Sequence, residues 1–151
     1  MLEPVQVWKV DLVRGRPPVD IAGTLTIGDD ALVFERADGA GTVRIAFTDA
    51  AGAKRLRGSP VLVVRRLERA AGSVAFYFAE PPPLRPADPA AVPLSQSGPP
   101  SPFAGLRRPS QRRHNRRNAG YLTSRSKELR PTVQAWTSLV RVKIEEARRA
   151  G

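Results

Sequence analysis

The first 80 residues alternate apolar and polar side chains with a period of two, in six short runs separated by turn signals. Such alternation sets one row of each strand against a core and the other against water, as half-buried antiparallel strands require. The runs are Val5–Val13, then Ala22–Ile27 with Leu25 and Ile27 on one face and Thr24 and Thr26 on the other, then Leu32–Glu35. Val43, Ile45 and Phe47 form the next inward row. Leu62–Arg66 follows Gly58-Ser59-Pro60, and Val74, Phe76 and Phe78 close the series. Gly28-Asp29-Asp30, Asp38-Gly39 and Arg69–Gly72 supply reversals. Six closely spaced strands predict a small antiparallel barrel or sandwich.

The composition breaks at residue 81. Residues 81–110 hold ten of the fifteen prolines, and little there can build a core. Proline fixes φ and removes a donor, so this stretch reads as an extended linker. Arg107, Arg108, Arg112, Arg113, Arg116 and Arg117 then crowd Leu106–Asn118. Like charges this dense repel, so the whole of 81–118 is expected to be disordered. Beyond it, Pro131 suits the first position of a helix. Val133, Trp136, Val140, Ile144 and Ala147 follow at steps of three and four, one apolar stripe on a helix of about five turns. Arg141 with Glu145 and Glu145 with Arg149 are i,i+4 pairs on its wet side, and Arg148 and Arg149 favour the helix dipole. The chain thus divides into a β-rich domain over 1–80, a linker over 81–118 and an amphipathic helical end over 119–151. The fold class is mainly β with a C-terminal α-helix.

Charge follows the same division. The net charge is +11, of which residues 1–80 carry +1 (eleven Lys/Arg, ten Asp/Glu) and residues 81–151 carry +10 (fourteen against four). A basic tail of this kind points to a polyanion: nucleic acid, an anionic membrane or an acidic protein. The arginine run lacks interleaved aromatics, which argues against base-specific reading. Pro83-Leu84-Arg85-Pro86 reads as a plain linker, with a polyproline ligand as the alternative. There is no cysteine, and no apolar run approaches the ~20 residues of a membrane span. Met1–Val13 does not read as a signal peptide, so a cytoplasmic location is expected, with a peripheral place at a membrane as the alternative.

The stretches Gly23-Thr24-Leu25-Thr26-Ile27, Ala31-Leu32-Val33-Phe34-Glu35 and Val43-Arg44-Ile45-Ala46-Phe47-Thr48-Asp49-Ala50 resemble strands of the pleckstrin-homology-like domains and their GRAM relatives. The helix bearing Trp136 and Val140 resembles the one that caps the barrel in that family, where a tryptophan plugs one open end. The resemblance implies seven strands and a final helix, with a missing seventh strand near Ala119–Thr123 and the Pro/Arg-rich segment as an insertion. It also implies an anion site at Lys9, Arg14 and Arg16, matching the basic residue on the first strand and the basic-x-basic pair that hold inositol phosphates in lipid-binding members. Converging charge-assisted donors suit phosphate; a solvated hairpin is the plainer reading. Trp136 and Trp8 read as core residues.

Nothing points to catalysis. His114 is the only histidine, sits among arginines and has no ligand set around it. Gly39-Ala40-Gly41 is a hairpin turn and Asp29-Asp30 a turn pair. The expectation is a binding module without cofactor or metal whose basic tail, Arg107–Arg117, contacts a polyanion. The alternative is an adaptor whose β-domain docks a protein partner.

Overall fold

The computed structural model describes residues 2–81 and 109–151, with helical side chains described from Thr123 onward. Seven strands form one antiparallel sheet: β1 (Val5–Leu12), β2 (Asp20–Ile27), β3 (Ala31–Arg36), β4 (Thr42–Ala46), β5 (Ala50–Arg55), β6 (Val61–Arg66) and β7 (Ser73–Tyr77). A helix, α1 (Pro109–Ala150), follows. The strand order is β4-β3-β2-β1-β7-β6-β5. The two edge strands, β4 and β5, are therefore consecutive in the chain, joined only by the 3-10 turn Phe47–Asp49.

That link shapes the molecule. In a flat sheet, β4 and β5 would lie about 28 Å apart, six strand spacings. The four steps from Ala46 to Ala50 span at most about 14 Å. The sheet must roll until its edges approach at this corner. Two backbone bonds fasten it: Phe47 N–H to the Asp30 carbonyl at 2.9 Å and Leu67 N–H to the Asp49 carbonyl at 2.8 Å.

Rolling encloses the inward rows. Val7, Leu25, Phe34, Ile45, Leu62, Val64, Val74 and Phe76 share one buried cluster with Val133, Trp136, Val140 and Ile144 of the helix. Phe34 and Phe76 meet at 6.2 Å between ring centroids, and Trp136 stands edge-on to Phe78 at 5.9 Å and 69°. Trp136 and Val140 thus dock in the same chain. Arg141 Nε donates to the Ala53 carbonyl at 2.8 Å and Arg148 to the Ala51 carbonyl, tying the helix to the edge of β5. The buried Thr137 hydroxyl donates to the Val133 carbonyl at 2.7 Å. A second cluster, Val10, Val61, Val63 and Ala75 with Tyr77, lies on the opposite face of the sheet. Burial pushes the Tyr77 phenol above its ordinary range. Trp8 pairs with Tyr77 and stays half-buried, because Val7 takes the inward position beside it.

Two expectations need correction. The seventh strand is Ala50–Arg55, not Ala119–Thr123, which lies within the helix. Pro131 is inside the helix rather than at its start. Leu129, before the proline, packs on the core cluster, and Arg125 pairs with Glu128 at 2.5 Å; both hold a helical turn ahead of Pro131. The hidden seventh strand has a simple cause: its first four residues are alanine and glycine, and a register shift between Ala50 and Gly52 breaks its period. The expectation of disorder over 81–118 falls mostly outside the described residues; from Pro109 the backbone is helical.

Trp136→Ala should cost about 3–5 kcal/mol in denaturant unfolding followed by circular dichroism. Gly23→Ala should cost about 1–3 kcal/mol, since its Cβ would sit 2.2 Å from the Glu35 carbonyl oxygen and 2.5 Å from the Phe34 ring.

Candidate functional site

A rolled sheet has two ends. The inward row of β7 continues from Val74 through Phe76 to Phe78, and Trp136 closes the Phe78 end. At the other end the inward rows turn polar. Lys9 lies across from Phe76 and Ile21, and Asp11 across from Val74. On β6 the row Leu62, Val64 ends in Arg66. Period-two alternation puts Lys9, Asp11 and Arg66 on the inner face, and the rolled sheet brings them to one mouth.

A cleft of about 500 Å³ opens there, lined by Lys9, Asp11, Arg16 and Arg66, with Ile21 and Val43 as apolar walls. Arg16 enters from the β1–β2 loop, which turns at Gly15, φ 82°. The Arg16 N–H bonds back to the Val13 carbonyl at 3.2 Å, fixing that turn. Ala70 and Ala71, in the 3-10 turn Arg69–Ala71, form a low rim on the far side.

The charges in the cleft differ in kind. Lys9 is only 4 % exposed, and its Nζ lies 2.6 Å from Asp11 Oδ2. This pair is close to neutral as a unit. Asp11 keeps half its side chain in water. Arg66 Nε is different: it is the one buried side-chain nitrogen or oxygen without a hydrogen-bond partner among the described residues. A buried donor left unmade costs about 1–3 kcal/mol, so an anion that reaches it gains what the free protein forgoes. Arg16 and Arg66 together leave the cleft with net positive charge.

A second groove, of about 650 Å³, adjoins the first and shares Val43, Arg66 and Ala71 with it. It runs between β4 and the segment Leu67–Glu68. Arg44 there pairs with Asp30 across the β2–β3 turn. On the neighbouring hairpin, the Arg36 guanidinium bonded to Asp38 holds that carboxyl below its ordinary range.

Of the three expected anion ligands, the structure brings Lys9 and Arg16 into the cleft; Arg14 is exposed and does not line it. Arg66 was missed. Its signal was available: it continues the inward row after Leu62 and Val64. Arg107 and Arg108 lie outside the described residues. Arg112, Arg113, Arg116 and Arg117 lie on the helical backbone, with side chains outside the described ones, as is that of His114. Among the described residues, no three His, Cys, Asp or Glu side chains converge to hold a metal. Likewise, no described helix is long and apolar enough to cross a membrane.

No protein-family model matches the chain, and no curated protein matches it.

Lys9→Met should leave stability within about 1 kcal/mol of the wild type or raise it, because the partner left behind, Asp11, remains hydrated. Denaturant midpoints at neutral pH check this. A large loss would make the Lys9–Asp11 pair a structural element rather than part of a binding mouth.

Proposed function

We propose that this protein is a non-enzymatic, pleckstrin-homology-like binding module that holds phosphorylated, anionic headgroups at a membrane surface. The observation that carries this reading is the partnerless, buried Nε of Arg66, set beside Arg16 and Lys9 in one cleft. Phosphate is the anion best served by such donors, since it accepts several charge-assisted hydrogen bonds from different directions. A cleft of about 500 Å³ suits a phosphorylated headgroup; a nucleic-acid duplex would demand a long basic face instead.

Two further features support the reading. The seven strands, the final helix and the tryptophan seated at one end agree with what the resemblance implies. The second half of the chain, at +10, adds long-range attraction to any anionic surface. In this reading Arg107–Arg117 supplies attraction without selectivity, and the cleft supplies the selectivity.

Co-sedimentation with vesicles tests it. Phosphatidylcholine vesicles doped with phosphorylated phosphatidylinositol should retain the full chain more tightly than vesicles matched in charge with phosphatidylserine. Arg16→Gln with Arg66→Gln should remove that preference and weaken binding at least ~tenfold. Neutralising the six arginines of 107–117 should lower affinity for both vesicle types and flatten the salt dependence. If structured RNA strips the protein from vesicles and the cleft substitutions change nothing, the headgroup reading fails and a nucleic acid is the partner.

A further inference from the structure

The two grooves that meet at Arg66 carry opposite charge. In the cleft, Lys9 and Asp11 neutralise each other at 2.6 Å, which leaves Arg16 and Arg66 as guanidinium groups that no carboxylate balances. In the adjoining groove, Arg44 is paired with Asp30. The charged groups that remain there beyond Arg66 are the carboxylates of Asp49 and Glu68. Both residues are exposed, and neither is in an ion pair among the described residues. The turns beside them do not use these carboxylates either. Asp49 gives its carbonyl, not its side chain, to the Leu67 N–H at 2.8 Å. Glu68 precedes the 3-10 turn Arg69–Ala71 and makes no side-chain cap bond to it. The Asp49–Leu67 bond joins the segment bearing one acid to the segment bearing the other.

Phosphate and hydroxyl answer to opposite poles. A phosphate monoester carries about −1.5 to −2 at neutral pH, close to the charge of two arginines, and presents acceptors to their donors. A carboxylate only accepts, so a hydroxyl can donate to it, whereas a second phosphate brings acceptor to acceptor and like charge to like charge. The wall between the poles is shared: Val43, Arg66 and Ala71 line both grooves, so a ring seated against Arg66 reaches from one to the other. With volumes of about 500 and 650 Å³, size would not exclude a second phosphate. Charge would.

We propose that the paired grooves select a polyol headgroup bearing a single phosphate monoester. This rests on the headgroup reading above and narrows it. Arg16 and Arg66 hold the phosphate, ring hydroxyls donate to Asp49 and Glu68, and a second ring phosphate is repelled by the same two carboxylates. The basic second half of the chain works the other way, since it favours any surface of higher charge. The selection therefore shows at matched surface charge.

The test uses phosphatidylcholine vesicles carrying phosphatidylinositol with one, two or three ring phosphates, each set brought to the same total charge with phosphatidylserine. The singly phosphorylated lipid should retain the full chain at least ~threefold more tightly than either of the others. Asp49→Asn with Glu68→Gln should raise retention by the doubly phosphorylated lipid at least ~threefold and erase the preference, because the amides carry no charge and can donate to phosphate. Glu68→Gln alone should shift retention in the same direction, and it decides the matter if the double variant does not fold. Calorimetry with the deacylated, soluble headgroups separates the sources of the ligand. Binding of the soluble singly phosphorylated headgroup, without preference among matched vesicles, makes a free polyol phosphate the ligand. The one-phosphate rule then holds if the doubly phosphorylated headgroup binds at least ~threefold more weakly, and fails if it does not. Preference for two or three ring phosphates, or the same ranking by wild type and double variant, overturns this inference and leaves the headgroup reading standing. No preference for any phosphorylated lipid over phosphatidylserine, together with no binding of a soluble headgroup, overturns both.

Discussion

The three-residue link between β4 and β5 is the constraint from which the rest of the structure follows. Seven strands ordered β4-β3-β2-β1-β7-β6-β5 cannot lie flat when the outermost two are so closely joined. Closure turns one face of the sheet into an interior and creates two ends. Each end needs its own solution, because inward rows that stop there would otherwise meet water. At one end the solution is apolar: Trp136 against Phe78, with Val133, Val140 and Ile144 carrying the burial along the helix. At the other end the rows stop in Lys9, Asp11 and Arg66, which tolerate water and leave an open mouth.

This asymmetry sets stability against function in a physical way. The capped end is where large side chains lose most of their exposure, so it contributes most per residue. The open end keeps charged groups at positions where aliphatic ones would pack. Lys9 is buried to 4 % exposure and needs Asp11 beside it; Arg66 keeps an unmade bond. Groups held in that condition are poor contributors to folding and good receptors for an anion. The edges divide in a similar manner. Helical arginines occupy outward carbonyls of β5, whereas the outward backbone groups of Thr42, Arg44 and Ala46 on β4 meet no partner among the described residues.

Much of this was legible in the sequence, and the parts that were not share a cause. Alternation located six strands because each carries large apolar residues on one side only, as in Val74, Phe76 and Phe78. The stripe from Val133 to Ile144 located the docking face of the helix. Ala50–Arg55 escaped because its first four residues are alanine and glycine and its bulge breaks the alternation. The helix start escaped because Pro131 suits a first helical position, whereas the packing of Leu129 on the core and the Arg125–Glu128 pair carry the helix ahead of it. Trp8 was read as core, yet strand parity puts Val7 inward and Trp8 on the outer face.

The amino-acid sequence by itself determined the class of fold, the apolar stripe of the helix and the concentration of positive charge in the second half of the chain. Those are local or additive properties, carried by side-chain period and composition. Only the tertiary structure decided which charges meet. Lys9 on the first strand, Arg16 in the first loop and Arg66 on the sixth strand are far apart in the chain, and none is distinctive alone. They converge because a short link rolls the sheet and brings the ends of β1 and β6 to one mouth. That convergence depends on register and closure, which pair residues across strands and so cannot be read from any one segment.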